Sequence, residues 1–396
     1  MATVTESIDT SEKSKARGLY ANQLIVILVL SLLTAALLIL AYFVSGAFRR
    51  EQVRLGAEYF QRGQTALADF RADQAVADFR TALSFAPDNR FYRLRLAQAL
   101  VLSNHDKEAL AHFRELWERE PGDGEVNLEL ARLAAHSGNM ADALRFYHGA
   151  VYGLWSGDPE ESRQKAWLEL IGLLLSQHAD TQAQSELLAL SASVPARTSL
   201  NLNLASMFMR AGDDSHALSF YRSVLKTDRE NQAALIGAGE ASLALGDFRA
   251  AVEYFKDAAR HFELPSNVQS DAQVAEFASQ ADPFGKALSA MERRRRATAA
   301  FAVAGDRLHG CIQSKGETSP PPPGRSPSRL QTDDVQWNAL GKQVTEQSLR
   351  RDSDVIYSAM DLVFRVEEDT AAVCGEPTGK DKALLMLGRH RSGMGR

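Results

Sequence analysis

The sequence predicts an all-α protein: a superhelical solenoid of about six helix-turn-helix repeats, preceded by one N-terminal membrane-spanning helix and followed by a helical cap region. Two observations carry this. From Gly56 to about Pro265 a pattern of small and aromatic residues returns every 34 residues, and from Leu24 to Phe48 the chain is apolar, without a charge or a proline.

The repeat is clearest in its second half. Small residues stand at Ala75, Ala109 and Ala143, each followed four places later by an aromatic at Phe79, Phe113 and Tyr147, with prolines at Pro87 and Pro121. The register resumes at Ala183, Ala217 and Ala251, followed by Leu187, Tyr221 and Phe255. Ala143 to Ala183 is a step of 40, so about six extra residues are expected in the inter-repeat turn, at Ser156 to Glu161 (SGDPEE). A 34-residue unit holds two helices and two turns. The small residue belongs where the two helices approach closely, and the aromatic one turn later (i+4) is expected in the groove between neighbouring units. One such unit cannot bury its apolar face alone, so the units must stack.

This pattern resembles the tetratricopeptide repeat (TPR) family. Its first-helix aromatic is matched by Tyr59 and Trp167, and the small residue of that helix by Gly63, Ala97, Ala131, Ala205 and Gly239. The later small residue of the second helix is matched by Ala82, Ala150 and Ala258, and the closing proline by Pro87, Pro121 and Pro195. The fourth unit departs from the pattern, with Ile171 and Leu187 at the small and aromatic positions. The resemblance implies an array that binds partner proteins or peptides along a concave groove lined by first helices. It places Gln64, Gln98, Arg132, Met209, Arg210 and Glu240 towards that groove. The lysine and asparagine set with which some family members clamp a peptide carboxylate is missing.

The chain is read in segments from the amino terminus. Residues 1–21 are polar and without apolar period, which predicts a disordered tail. Residues 22–48 follow as the membrane segment: Leu24 to Phe48 would span about 37 Å as a helix, against a hydrocarbon core of roughly 30 Å. A cleaved leader has a shorter apolar region. No glycine- or proline-rich linker separates this segment from the array at 56–265, so the two should be nearly continuous. Lys13, Lys15 and Arg17 precede it and Arg49, Arg50, Arg54 and Arg62 follow it, a balance that fixes no orientation. As an uncleaved signal anchor, the segment would hold the protein in a bacterial inner membrane with its body in the periplasm.

Residues 266–285 read as a polar lead into a helix from Lys286 to Ile312, within a cap at 266–314 that covers the open end of the solenoid. Residues 315–332 form a proline-rich linker around Pro320 to Pro323, read as a spacer. The region 333–396 predicts helices at Val335 to Leu349, at Val355 to Val366 with Ser353 as N-cap, and at Asp381 to His390, docked on the cap helix.

The two cysteines, Cys311 and Cys374, can form one disulfide, which would clip the carboxy-terminal helices to the cap in an oxidising compartment; two unrelated thiols is the alternative. His309 and His390 near them match no zinc spacing, so no metal site is expected. The run Glu292 to Arg296 (ERRRR) is read as a solvated face. Charged residues are 24% with a formal net charge of −5, which gives no support for nucleic acid as a partner. No nucleophile elbow, phosphate loop or HExxH motif is present, and Gly237-Ala238-Gly239 falls inside a repeat helix where close packing explains it. The expectation is a non-enzymatic, membrane-anchored scaffold without cofactor, serving envelope assembly. A cytoplasm-facing regulatory adaptor and an enzyme acting through the last sixty or so residues are the alternatives.

Overall fold

The chain was analysed as a computed structural model, which describes residues 6–193, 197–285, 287–318 and 326–394. Among the described residues every regular element is helical, eighteen helices in all. They fall into two compact units, Met1–Ala166 and Trp167–Arg396.

The first unit opens with α1 (Glu6–Ala68), a single helix of 63 residues. Where composition predicted a disordered tail over 1–21, residues 6–21 are the first turns of this helix; residues 1–5 lie outside the described residues. From Val26 to Phe48 its large apolar side chains stand exposed, Leu38 at 72% and Tyr42 at 78%. Its last turns then become the first helix of the first repeat without a break. Gly63 faces Phe79 of α2 (Ala72–Phe85), and Phe60 and Tyr59 lie beside Phe79 and Phe85. The next two hairpins are α3 (Arg90–Leu102) with α4 (Asp106–Arg119), and α5 (Gly124–His136) with α6 (Met140–Tyr152). Asn89, Asp123 and Asn139 cap α3, α5 and α6 by accepting backbone N–H bonds, as short polar side chains do at helix starts.

α7 (Pro159–Ser176) runs across the division between the units. Asp158 Oδ1 accepts from the N–H groups of Glu160 and Glu161, and Pro159 sits at the first helical position, where its missing N–H costs nothing. The extra residues expected in the turn are largely taken up here instead: α7 is 18 residues long, against 13 for α3 and α5.

The second unit continues with α8 (Asp180–Ser193), α9 (Thr198–Arg210), α10 (Asp214–Thr227), α11 (Gln232–Ala244) and α12 (Phe248–His261). In the divergent fourth repeat Ile171 and Leu187 are fully buried, and the indole of Trp167 donates to Glu186 Oε2 at 2.6 Å. Pro195 lies outside the described residues.

Beyond α12 the stacking does not stop. The polar stretch expected to lead into the cap is itself α13 (Ser266–Ala281), which packs on α11 and α12 as a further first helix would and buries Val268, Val274, Ala275 and Ala278. Its second helix comes from the far end of the chain, where α18 (Gly379–Met394) lies against it. Between them run α14 (Ala290–Ser314), α15 (Arg329–Gly341), α16 (Glu346–Arg351) and α17 (Asp354–Cys374). Residues 315–332 are therefore not all linker, since α15 starts at Arg329; Lys286 and Pro320 to Pro323 lie outside the described residues. The helix expected over Val335 to Leu349 breaks after Gly341, and Thr345 caps the new helix. Ser353 stands at the start of α17 without a side-chain cap bond. One apolar core joins α11 to α18, with Phe301 stacked on Trp337 at 3.8 Å between centroids.

Cys311 near the end of α14 and Cys374 at the end of α17 are bonded, with Cα atoms 6.0 Å apart. The arginine run is not a solvated face throughout. Arg296 is largely buried and donates to Glu292 and to the carbonyls of Ser279 and Asp282, tying α14 to the end of α13.

Candidate functional site

Two columns of contacts make the hairpins close-packed. In the first repeat a Cβ on Gly63 would come within 2.6 Å of Phe79, and in the sixth a Cβ on Gly239 within 2.6 Å of Phe255. The aromatic thus presses on the small residue of its own unit, where the sequence placed it between units. Tyr221 also reaches the next unit: a Cβ on Gly237 would lie 2.2 Å from its ring. The Gly-Ala-Gly run lets α11 approach both neighbours.

A second column went unread in the sequence. The turn inside each hairpin needs one residue with positive φ, and it recurs at Phe70, Asn104, Gly138, His178, Gly212 and Gly246, with φ between 55° and 76°. The spacing is that of the alanine column. Glycine meets this demand three times and asparagine once, which is the chemistry the left-handed region prefers.

These hairpins are tetratricopeptide repeats. Two family models described as tetratricopeptide repeat match residues 107–152 and 199–233. A cellulose synthase operon protein C of Escherichia coli O157:H7 is 26% identical over 179 residues, covering 45% of this chain; the match spans 15% of the relative's length. Among solved structures, the type IV pilus biogenesis factor PilW is 19% identical, covering 54% of this chain and 96% of its own, with a TM-score of 0.38. PilF of Pseudomonas aeruginosa is 18% identical, covering 56% and 96%, with a TM-score of 0.38.

The residues assigned to the TPR groove lie on first helices. In the first unit Gln98 of α3 and Arg132 of α5 meet through Glu129, whose Oε1 accepts from Gln98 Nε2 at 3.2 Å and from Arg132 Nη1 at 3.2 Å. Gln98 also donates to Glu125 at 3.1 Å and accepts from Arg95 at 2.6 Å. Arg132 stays partly open, with 36% of its side chain exposed, so the network presents a guanidinium edge, amide groups and carboxylates to solvent. Gln64 of α1 is half-buried. Glu125 and Glu129 were not picked out from the sequence. The signal available was their spacing, since Glu129 and Arg132 are three apart on one helix face.

In the second unit Met209 is half-buried and Arg210 exposed at the end of α9. Glu240 of α11 lies close enough to Asp271 of α13 for the two to raise its carboxyl above the ordinary range, burial being the larger cause. Burial and Glu240 together push the Tyr221 hydroxyl up to about 12. Asp271 is in turn held by Lys382 Nζ at 2.8 Å. The first-helix face of this unit therefore extends one element further than the repeat pattern showed, onto α13, and is acidic there.

A cavity of about 610 Å³ opens between α17 and α18, lined by Asp361, Phe364, Arg365, Glu368 and Arg389 among others. Its cations are engaged: Arg389 with Glu368 at 3.2 Å, Arg365 with Asp333 at 3.1 Å. His309 is bound to Asp334 at 3.0 Å, and His390 lies edge-on to Phe248, so neither joins the cysteines. Among the described residues no group of three or more His, Cys, Asp or Glu is placed to hold a metal ion.

Proposed function

We propose that the protein is a membrane-anchored TPR scaffold that recruits partner proteins through the first-helix face of its repeats, in assembly work at the cell envelope. The observation that carries the reading is the continuity of α1. One helix presents bare apolar side chains from Val26 to Phe48 and, without a linker, becomes the wall of the first repeat. An exposed helix of that length and composition has a lipid core as its natural surrounding, since in water its surface would drive aggregation. The repeats are then held within a few turns of the bilayer. Their polar first-helix network around Glu129 suits extended peptide: a guanidinium and carboxylates for charged side chains, amides for the backbone.

The body lies in the periplasm in this reading. Support comes from the bond between Cys311 and Cys374, because disulfides persist in oxidising compartments and are kept reduced in the cytoplasm. The curated relative is named from a cellulose synthase operon, and we extend that setting to this chain only as an envelope role. The role is binding rather than catalysis.

The test is recruitment in cells, measured by photo-crosslinking from the first-helix face of α3 and α5 in the wild-type chain and in Arg132→Glu. Discrete adducts that vanish in a folded, membrane-located variant are expected. Adducts unchanged by the charge reversal would exclude this face as the binding surface.

A further inference from the structure

The carboxy-terminal helix stands apart from the rest of the array in how it is held. α18 fills the second-helix place beside α13, yet it reaches that place from about a hundred residues downstream of it, and so depends on its own side-chain contacts. Several are ordinary: Lys382 with Asp271, Arg389 with Glu368, Phe364 against Gly388. One is not. Glu367, at the seam of α17 with α18 and α14, has no exposed surface, and neither of its carboxyl oxygens accepts from a donor group among the described residues; its side chain meets the Asp381 carboxyl instead, and two acids can hydrogen-bond only by sharing a proton.

The nearest cation satisfies it only in part. Arg307 of α14 places Nε 3.3 Å from Glu367 Oε2, but that N–H is donated to Thr370 Oγ1 at 2.8 Å, and Nη2 is donated to the Gly375 carbonyl at 2.8 Å. Asp381, in the first turn of α18, faces the same guanidinium, and its buried oxygen, Oδ1, likewise has no donor to accept from. Two carboxyls thus share one arginine that is already committed. The other charges nearby relieve this little. Asp306 of α14 adds negative charge beside Asp381; Lys380 of α18 offsets it only in part, its ammonium lying over the Phe277 ring of α13. From α15, Asp333 is turned to Arg365, and on α16 Glu346 and Arg350 pair with each other.

Such a pair can be buried only if it is not doubly ionised, since two like charges removed from water, with one shared cation between them, repel each other and lose their hydration. We propose that α18 is a pH-sensitive latch: the Glu367–Asp381 pair holds a proton while α18 is seated on α13, and loss of that proton releases α18 and uncovers the apolar face of α13. Glu367 is the group that keeps the proton. Burial, with Asp381 adding to it, pushes its carboxyl up to about 8, whereas in the released state it returns to the ordinary carboxylic range. Alkaline conditions therefore favour release, and neutral or mildly acid conditions favour closure. The disulfide leaves this motion free, because it joins α14 to α17 and touches neither α18 nor α13.

Hydrogen exchange on the full chain in detergent, corrected for intrinsic pH dependence, tests the latch. Amides of residues 379–392 should exchange on the order of tenfold faster at pH 9 than at pH 6.5, while those of α17 and of α3 to α6 keep their protection. In Glu367→Gln, which removes the charge and keeps the shape, α18 should be equally protected at both values. Asp381→Asn should weaken the response in the same direction. Equal protection of wild-type α18 at both values, a full response in Glu367→Gln, or a loss of protection spread evenly over the second unit would each overturn the proposal.

Discussion

Gly237 lies directly beneath the ring of Tyr221, so close that a single added methyl would meet the ring carbon Cζ at 2.2 Å. The two residues belong to consecutive repeats, and their contact sets how near α11 comes to α10. Because Tyr221 is itself buried, its ring cannot swing into solvent to make room. Gly237→Ala should therefore destabilise the second unit by about 1–3 kcal/mol, the usual cost of overpacking, despite the better helix propensity of alanine. Thermal unfolding of Gly237→Ala, Tyr221→Leu and the double variant checks this. The double variant should recover part of the loss, which a purely additive pair would not.

Phe70 and His178 occupy the positive-φ turn position that glycine or asparagine fills in the other four hairpins. Phe70 is 97% exposed, so its ring contributes no packing to set against the backbone strain. Phe70→Gly should stabilise the first unit by about 0.5–1 kcal/mol, after the extra entropy of glycine in the unfolded chain is subtracted. A β-branched Phe70→Val should do the reverse. Equal melting temperatures for all three chains would mean that the turn is not strained.

Joining Cys311 to Cys374 closes a loop across a sequence separation of 63 residues, for which chain entropy gives about 4 kcal/mol. A Cys374→Ser variant, or the reduced wild type, should show a lower unfolding midpoint for the second unit, with the first unit unchanged. The loss should be at most that amount, because the α14–α17 contact is also supported by the shared apolar core.

Stability should fall as pH rises from about 4 to 8. Burial lifts Glu367 to about 8 and Asp333 to about 6, while both return to ordinary carboxylic values on unfolding. Over that window the folded state binds more protons than the unfolded one, so each unit of pH favours unfolding. The contribution is whole below the unfolded values and gone above the folded ones. Denaturant titrations at pH 5, 7 and 9 should give declining midpoints. Asp333→Asn should make the part below about 6 less steep, leaving there the slope due to Glu367, and should leave the part above about 6 unchanged.

The alanine and aromatic columns were legible because they answer one requirement, the close approach of two helices, and that requirement recurs with the period. α13 was not legible, since as the last first helix it has no following repeat to pack and shows none of the column. Its buried residues, Val268, Val274, Ala275, Ala278 and Ala281, are mostly small and lie scattered within a polar stretch. The place of α18 beside it is a long-range pairing, which no local spacing reveals. The excess residues went into α7 rather than a turn because Asp158 and Pro159 form a helix start five residues before the repeat register would. At the proposed binding face, Gln98 and Arg132 were named from family positions, whereas Glu129 between them emerged only once α3 and α5 were side by side.

The central claim, a scaffold anchored by α1 with its repeats outside the cytoplasm, meets its most direct test in one experiment. The full chain carries a carboxy-terminal reporter that is active only outside the cytoplasm, and its membrane partition and free thiols are measured in the same cells. The account predicts an active reporter in the membrane fraction with Cys311 and Cys374 blocked to alkylation. An inactive reporter with two free thiols, or a body that leaves the membrane fraction in high salt, would contradict it.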